Sequence, residues 1–264
     1  MRDLNPKIQN PLISIVTVCL NSEATIAETI DSVRRQKYEN FEHIIFDGGS
    51  KDNTLAIVNE KEHPKLHLVR GHDAGIYDAM NQAAELSQGE VLHFLNSDDV
   101  YDDENVLQSV VDIFSENNRK ILCTAITYFN SSKPDAITRH WSTGHFSVNL
   151  VKTGWHPPHP GFFCRREVFE SNGGFNCKFN IVADFDFMIR ACMSYPKYVS
   201  VSDMISVRMR TGGASDQSVI SMLKNNLDVC ESLLEQGVRI SKPVYILRRL
   251  FAKLMQITNR LRVL

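Results

Sequence analysis

Short apolar segments alternate with amphipathic segments of helical length through the first half of the chain. Residues 12–18 are apolar and β-branched, which is typical of a buried strand, and residues 24–35 carry Ile26, Ile30 and Val33 on one helix face. The alternation continues with strands predicted at 41–46, 66–69 and 120–129, a strand from 91 to the acidic pair Asp98-Asp99, and helices at 53–62, 77–87 and 106–114. Strands separated by helices favour an α/β fold in which helices cover both faces of a mainly parallel sheet.

The regular alternation of predicted strands and helices ends near residue 130. Residues 141–163 are rich in His, Pro, Gly and aromatic residues without a clear period, which predicts a long functional loop. The remaining pattern predicts helices at 182–193 and 218–236, a strand at 198–210 and a flexible loop at 211–215. Because no repeat and no low-complexity linker interrupts the chain, we expect one domain over 1–240, followed by a basic amphipathic helix over 241–264.

Composition and charge narrow the class of protein. The chain has 264 residues, 43% hydrophobic and 23% charged, as in ordinary globular proteins. The net charge of -2 is uneven, because residues 242–264 hold six Lys or Arg and no acid. A basic end on an acidic body indicates a local electrostatic contact and argues against a nucleic-acid-binding domain.

The chain shows no segment that predicts export or membrane insertion. Residues 1–11 are polar and unlike a signal peptide, and no apolar run approaches the ~20 residues that span a bilayer. The six cysteines lack metal-ligand spacing, so we expect reduced thiols and a cytoplasmic location.

The basic tail has apolar residues at helical spacing from Val244 to Leu261, with Arg249, Lys253 and Arg260 on another face. Such a helix can lie on an anionic membrane surface, which would place the protein at the inner face of the cytoplasmic membrane. It can equally dock on the domain with its charged face in water. The residues leave both interpretations open.

Acidic residues end three of the predicted strands or loops: Asp47, Asp73 and the pair Asp98-Asp99. The carboxyl ends of parallel strands share one edge of a sheet, where ligands bind in open α/β folds. Gly48 and Gly49 after Asp47 allow a close approach of the backbone to a ligand, and the carboxylate can accept hydrogen bonds from a base or a ribose. Each acid alone could instead cap a helix or close a turn.

Adjacent carboxylates at Asp98 and Asp99 are hard oxygen ligands suited to Mg²⁺ or Mn²⁺. These ions commonly use one or two carboxylates together with substrate phosphates. An exposed turn is the other interpretation of an Asp-Asp pair.

The second half holds three further groups of candidate residues. Asp184 and Asp186 lie among apolar residues where a helix begins, so they are candidates for a general base or are helix-terminal acids. His159 lies in the Pro-rich loop 156–161, which we interpret as a wall of an acceptor pocket. Arg208 and Arg210 could clamp a phosphate or end an exposed hairpin.

Taken in order, these segments resemble family 2 glycosyltransferases with the GT-A fold, especially bacterial transferases of exopolysaccharide, colanic-acid or O-antigen synthesis. The resemblance covers residues 12–130 well and is looser at 159–163 and 183–186. It is carried by Ser14-Ile15-Val16-Thr17-Val18 with Asn21, by Asp47-Gly48-Gly49-Ser50-Lys51-Asp52-Asn53-Thr54, by Asp73-Ala74-Gly75-Ile76-Tyr77-Asp78-Ala79-Met80-Asn81, and by the segment from Gly89 to Asp99.

The resemblance implies an inverting transfer of a sugar from a nucleotide-diphosphate donor, UDP foremost, to a lipid-linked or polysaccharide acceptor. It implies a donor-binding half at 12–130 and an acceptor-binding half at 131–240. For the donor, the resemblance implies a nucleoside site at Thr17, Asn21, Asp47 and Asp73, and a Mn²⁺ or Mg²⁺ motif at Asp98 and Asp99 that also contacts the donor. For the reaction, it implies a general base at Asp184, with Asp186 as the alternative, and stabilisation of the leaving charge by Arg208 and Arg210. His159 would form a wall of the acceptor pocket.

Two other functions compete with this interpretation. A sugar-nucleotidyltransferase is disfavoured because a Gly-rich basic loop does not follow the first strand, where the chain has Cys19-Leu20-Asn21-Ser22. A non-catalytic nucleotide-sugar-binding protein is disfavoured because it would have no reason to keep the acids at Asp47, Asp98, Asp99 and Asp184.

Overall fold

The computed structural model describes residues 10–116, 119–211 and 219–249, without the side chains at 134–135 and 219–223. The described residues form one mixed sheet. Its strands are β1 (Ile13–Cys19), β2 (Phe41–Asp47), β3 (Leu66–Arg70), β4 (Val91–Phe94), β5 (Val100–Tyr101), β6 (Ile121–Asn130), β7 (Lys133–Trp141), β8 (Phe162–Arg165) and β9 (Val199–Arg210). The strand order is β3-β2-β1-β4-β8-β6-β9-β5, with β7 paired to β6.

Helices connect and cover these strands. They are α1 (Ile26–Arg34), α2 (Thr54–Glu60), α3 (Ile76–Leu86), α4 (Val106–Ser115), α5 (Val148–Val151), α6 (Arg166–Ser171), α7 (Ala183–Ser194) and α8 (Val219–Glu235). Short 3₁₀ turns occupy His159–Gly161 and Pro196–Tyr198. None of the helices in the described part of the chain is long and apolar enough to cross a membrane.

The first half of the sheet is parallel, as the sequence predicts. Strand β1 pairs in parallel with β2 and β4, and β2 pairs in parallel with β3. Alternate residues of β1 point to opposite faces, so Val16 packs with α3 while Ile15 packs with α4. Helices therefore cover both faces, and the ends of β1, β2 and β4 reach one edge.

The second half differs from the sequence prediction, because the sheet there is mixed. Strand β8 lies between β4 and β6 and is antiparallel to both, and β7 is antiparallel to β6. The predicted loop 141–163 was wrong at its ends: Trp141 closes β7, and Phe162 and Phe163 begin β8, both buried. A three-residue apolar run, Phe162 to Cys164, is too short after several prolines to show a period that distinguishes a buried strand from a loop.

Helices α7 and α8 pack against α3 and the centre of the sheet around a cluster of phenylalanines that includes Phe162, Phe175 and Phe187. Most of the predicted loop 211–215 lies outside the described residues. Of the predicted tail helix, residues 242–249 are helical and the remainder lies outside the described residues. The 242–249 segment docks through Tyr245, which is 1% exposed, while Leu247 is 69% exposed.

Candidate functional site

The predicted acids meet at the edge formed by the carboxyl ends of β1, β2 and β4. The loop after β1 contacts the loop after β4 through the hydroxyls of Ser22 and Ser97, 2.9 Å apart. Cys19, the last residue of β1, lies beside Asp47, the last residue of β2. Three loops that are distant in sequence therefore line one surface.

Asp47 is fully buried and organises the loop that follows it. Its Oδ2 accepts the backbone N–H groups of Gly49 and Ser50, each at 3.0 Å, and the Cys19 thiol donates to Oδ1 at 3.8 Å. Burial, and then the charge of Asp47, raises the pKa of Cys19 to about 12, so this thiol stays protonated. The carboxylate thus holds the Gly48-Gly49-Ser50 turn in place.

Asp73 lies at the surface of the same groove, directly over Gly48. A Cβ atom at Gly48 would lie 2.5 Å from Asp73 Oδ2, so a larger residue there would displace the Asp73 carboxylate from its present position. The other oxygen, Oδ1, accepts the backbone N–H of Gly75 at 3.0 Å. Asp73 is therefore an exposed carboxylate next to the turn that Asp47 organises.

Asn21 and Thr17 lie in structural networks. Asn21 adopts a positive φ of 52°, and its side chain accepts the backbone N–H of Lys51 at 2.9 Å, which joins the loops after β1 and β2. Thr17 is fully buried within the sheet, where its hydroxyl pairs with His43 Nε2 at 3.0 Å. The structure brings Asn21 to the groove but keeps Thr17 below it.

Asp98 and Asp99 follow β4, and their carboxylates have different surroundings. Asp99 is fully buried: its Oδ1 accepts the backbone N–H of Arg210 at 3.1 Å and its Oδ2 accepts the Asn96 side chain at 2.9 Å. Asp98 is half-buried, and among the described residues no side chain donates a hydrogen bond to its carboxylate.

Burial raises the pKa of both carboxyl groups. The pKa of Asp99 rises to about 8, first because the group is desolvated and then because Asp98 is close, while Asn96 and Arg210 act in the opposite direction. Desolvation also raises the pKa of Asp98, opposed by Arg210. Two close carboxylates with raised pKa values form a site that a cation would stabilise.

Arg210, at the end of β9, connects the acidic pair to two other segments. Its Nε donates to the Asp98 carbonyl oxygen at 3.2 Å, and its two terminal nitrogens donate to Ser131 and to Glu28. The side chain is only 11% exposed, so its guanidinium is largely committed to protein contacts. Arg208 lies on the same face of β9, with its guanidinium 5.0 Å from the centre of the Phe129 ring.

The residues around Asp98 fit a divalent cation that takes most of its ligands from a bound phosphorylated ligand. The available ligand is a half-buried carboxylate oxygen, a hard donor of the kind that Mg²⁺ and Mn²⁺ prefer. The described residues contain no group of three His, Cys, Asp or Glu side chains that could complete a metal site by themselves. Donor phosphates would have to supply the remaining ligands, as they do in many Mg²⁺ sites.

Asp184, in the first turn of α7, lies at the other side of the end of β4. Its Oδ1 accepts the backbone N–H of Phe185 at 2.7 Å, and the helix N-terminus favours negative charge. Tyr77 and His159 both interact with it electrostatically. His159 in turn stacks near Phe94, the last residue of β4, with ring centres 6.2 Å apart.

Two polar side chains beside Asp184 stay uncharged near neutral pH. Burial, and then the charge of Asp184, raises the pKa of Tyr77 well above its ordinary value, and its hydroxyl donates to the Ile181 carbonyl at 2.9 Å. Burial lowers the pKa of His159, opposed by Asp184, and its Nε2 has no hydrogen-bond partner among the described residues. Two residues further on, Gly161 packs closely against β6, where a Cβ would lie 2.6 Å from the Thr124 carbonyl oxygen.

Asp186 points away from this surface and is 3% exposed. It forms an ion pair with Arg190 at 2.7 Å and accepts hydrogen bonds from Ser232 at 2.7 Å and Gln236 at 3.1 Å. Its charge is therefore compensated, and its contacts join α7 to α8.

Sequence reasoning assigned no role to Tyr77 or Asn96, although both fall inside the motifs that carried the resemblance. Tyr77 donates a hydrogen bond to the carbonyl of Ile181, which is 104 residues away and close to Asp184 in sequence. Asn96 donates a hydrogen bond to the Asp99 carboxylate. The signal was their position within those motifs. Their partners are visible only in the folded chain.

Comparisons with known proteins agree with this geometry. Residues 14–181 match the model of the family described as Glycosyl transferase family 2. A PGL/p-HBAD biosynthesis glycosyltransferase of Mycobacterium bovis is 32% identical over 193 residues, which is 72% of this chain and 73% of that protein. The hyaluronan synthase of Pasteurella multocida is 25% identical over 86% of this chain but only 24% of its own length.

Solved structures show the same fold. Residues 1–349 of S. aureus TarS in complex with UDP-GlcNAc superpose with a TM-score of 0.65 at 20% identity, over 84% of this chain and 66% of that one. A mannosyltransferase of Pyrobaculum calidifontis in complex with GDP-Man and Mn²⁺ superposes with a TM-score of 0.64 at 15% identity, over 94% of this chain and 72% of that one. At these identities the likeness shows the fold, GT-A, which confirms the fold predicted from the motifs.

Proposed function

This chain belongs to glycosyl transferase family 2, and from that premise we propose that it moves a sugar from a UDP-linked donor to a hydroxyl of a lipid-linked or polysaccharide acceptor in surface polysaccharide synthesis. The observation that carries the proposal is the meeting of two acidic groups around the end of β4. Asp98 and Asp99 lie on one side, and Asp184 with Tyr77 and His159 lies on the other. Donor and acceptor would meet between them.

The donor half comprises residues 12–130. We propose that Asp73 and the turn at 48–50 contact the nucleoside, while Asp47 and Asn21 hold that turn and its neighbouring loop in shape. The nucleotides in the titles of the two structural neighbours, UDP-GlcNAc and GDP-Man, support a nucleotide-sugar donor. UDP remains the first candidate because the motifs resemble those of UDP-sugar transferases.

Asp98 would hold a Mn²⁺ or Mg²⁺ ion together with the donor phosphates, and Asp99 would position its loop. When bound, the cation supplies positive charge that offsets the charge developing on the diphosphate. Arg210 braces this loop through the Asp98 carbonyl and the Asp99 carboxylate. We propose that Arg210 acts through this bracing, because its side chain is largely covered.

Asp184 would act as the general base in the acceptor half, residues 131–240. Its carboxylate would accept the proton of the acceptor hydroxyl, whose oxygen attacks the anomeric carbon from the face opposite the diphosphate. A single displacement of this kind inverts the configuration. Tyr77 stays protonated and His159 stays neutral, so both can hold the acceptor by hydrogen bonds without competing for the proton.

A thermal-shift screen tests donor binding, since a ligand that binds only the folded state raises its stability. UDP, GDP, dTDP and their common sugars are each added with and without Mn²⁺. We expect a shift with UDP or a UDP-sugar that increases with Mn²⁺, and we expect Asp98→Asn to lose the Mn²⁺-dependent part. Glu60→Gln, at an exposed acid on α2, is the control. The proposal fails if the screened nucleotides produce no shift, or if Asp98→Asn behaves as the control does.

We further propose that the 242–249 segment faces an anionic membrane, at the cytoplasmic leaflet. Tyr245 docks on the domain, while Val244 and Leu247 are 50% and 69% exposed and Lys242 and Arg248 are also exposed. Exposed apolar and basic residues on one segment suit a lipid surface with negative headgroups. The basic residues of the remaining tail continue this pattern in the sequence.

Vesicle co-sedimentation tests this partner. We expect the full chain to sediment with vesicles of phosphatidylcholine and phosphatidylglycerol, less with phosphatidylcholine alone, and less as salt increases. The double variant Val244→Glu/Leu247→Glu should weaken sedimentation, while Leu86→Glu, at an exposed leucine on α3, should not. Equal sedimentation of the two variants would contradict the proposed surface.

A further inference from the structure

A small cavity opens between the segment 178–181 and helix α8. Its volume is about 150 Å³, below the roughly 300–1,000 Å³ of typical ligand pockets. One wall carries Asn180 and Ile181, and the other carries Lys224, Asn225 and Asp228. We call it the α8 cleft. Its size suits one small unit, such as a single sugar ring of a larger molecule.

The α8 cleft adjoins the surroundings of the proposed base. Ile181 lies three residues before Asp184, and its carbonyl accepts the Tyr77 hydroxyl at 2.9 Å. Tyr77 in turn interacts with Asp184. Ile181 therefore connects the lining of the cleft to Tyr77 and, through Tyr77, to the proposed base.

Several polar side chains of the cleft have no partner within the described part of the chain. Asn180, Lys224, Asn225 and Asp228 form no hydrogen bond or ion pair with another described residue. Lys178, at the rim, is already paired with Glu231 at 2.8 Å and Glu235 at 2.6 Å. Two amides, an ammonium and a carboxylate thus remain available to bind the hydroxyl groups of a ligand.

The charges of the cleft indicate which class of ligand it can bind. Its lining holds two cations, Lys178 and Lys224, and two carboxylates, Asp228 and Glu231. Lys178 and Glu231 are paired with each other, so the remaining charges of the lining are those of Lys224 and Asp228, which are of opposite sign and leave no net charge to attract a phosphate. A neutral polyol needs no net charge and can use amide and carboxylate groups together. Exposed Ile181 adds an apolar contact for the C–H face of a sugar.

We infer that the α8 cleft binds an uncharged sugar unit of the acceptor, with Asn180, Asn225 and Asp228 as hydrogen-bonding residues that set acceptor choice. This inference rests on the proposed transferase function and names the part of the acceptor that the protein recognises. The acceptor is held through sugar hydroxyls at this point, and its phosphate or lipid, where it has one, lies elsewhere.

The test uses the full chain, the UDP-sugar with the largest thermal shift, and a panel of methyl hexosides as acceptors. We expect at least one methyl hexoside to raise the rate of UDP release above donor hydrolysis. Asn225→Ala should raise the KM for that acceptor about fivefold and Asp228→Ala about tenfold, which correspond to one neutral and one charged hydrogen bond. The KM for the donor should stay within about twofold, because the donor half is untouched.

Asn59→Ala, at an exposed asparagine on α2, is the matched control and should leave the acceptor KM as in the wild type. The inference is overturned if Asn225→Ala and Asp228→Ala match this control, if methyl hexosides never raise UDP release, or if a glycosyl phosphate binds much more tightly than its methyl glycoside. If the proposed transferase function were wrong instead, the thermal-shift screen would show no donor binding. The two failures are therefore distinguishable.

Discussion

Two acidic regions face each other across the end of β4, and each contains one buried and one half-buried carboxylate. In the first, Asp99 is buried and Asp98 is half-buried; in the second, Asp186 is buried and Asp184 is half-buried. The buried members differ in how their charge is balanced. Asp186 has a guanidinium partner, Arg190, at 2.7 Å, whereas the donors to the Asp99 carboxylate among the described residues are one side-chain amide and one backbone N–H.

This difference separates a structural carboxylate from one in the proposed binding site. A buried ion pair with added hydrogen bonds holds two helices together, and its removal leaves an unpaired charge. The pKa of Asp99 is raised to about 8, because Asn96 and Arg210 offset its desolvation and the nearby Asp98 only in part, and a bound cation would stabilise its charged form further. Burial alone therefore does not indicate function, and the balance of charge around the group does.

The strongest way to test the comparison is to remove the proposed base. Asp184→Asn should lower kcat by roughly 10²–10⁴-fold, because the amide cannot accept the acceptor proton. Its unfolding free energy should change little, since Asp184 has a single local hydrogen bond. Steady-state UDP release with acceptor, together with urea unfolding, measures both quantities. Wild-type turnover in this variant would remove Asp184 from the mechanism.

Asp186, the buried carboxylate of the same region, should show the opposite pattern, because its removal should mainly lower stability. Asp186→Ala should lower the free energy of unfolding by about 3–5 kcal/mol, because Arg190 loses its carboxylate partner and Ser232 on α8 loses its acceptor. The exposed pair Lys37–Glu104 gives the control, and Lys37→Ala should cost no more than about 1 kcal/mol. If urea unfolding finds the two variants equally stable, the ion pair at Asp186 is not structural.

The smallest effect concerns pH. Because the pKa of folded Asp99 is raised to about 8, its contribution to stability is complete below the unfolded value of about 3.9 and is lost as pH rises through about 8. The metal-free wild type should therefore lose up to about 1.4 kcal/mol per pH unit relative to Asp99→Asn as pH rises from about 7 toward 8.

Urea unfolding of the two proteins between about pH 7 and about pH 8.5 measures this loss. The window lies above the histidines, whose unfolded pKa is about 6.5. Burial lowers the folded pKa to about 3 at His43, His93 and His156. Parallel curves for the wild type and Asp99→Asn would mean that Asp99 carries no raised pKa.

The regular part of the fold could be predicted because its signals are local. Strands β1 to β4 and helices α1 to α4 follow from hydrophobic period and from Gly or acidic residues at their ends, within a few residues of each boundary. Strands β5, β7 and β8 and helices α5 and α6 were missed. All but β7 are short, and β8 depends on neighbours distant in sequence, since it pairs with both β4 and β6.

For the candidate site, too, the local signals could be predicted and the contacts with distant residues could not. Asp98, Asp99 and Asp184 stand out in the sequence because acids after apolar runs are rare in the interior. Their roles cannot be distinguished there from those of Asp47 and Asp186, which the fold surrounds with donors.

The sequence alone determined the class of fold, the family and the set of candidate acids, because period and motif are properties of neighbouring residues. The tertiary structure decided which of those acids are compensated. Arg210 follows Asp99 by 111 residues and Ser232 follows Asp186 by 46, so the donors to each carboxylate meet it only in the folded chain. Desolvation and charge balance depend on those distant partners, and they separate Asp98 and Asp184 from the acids that hold the fold together.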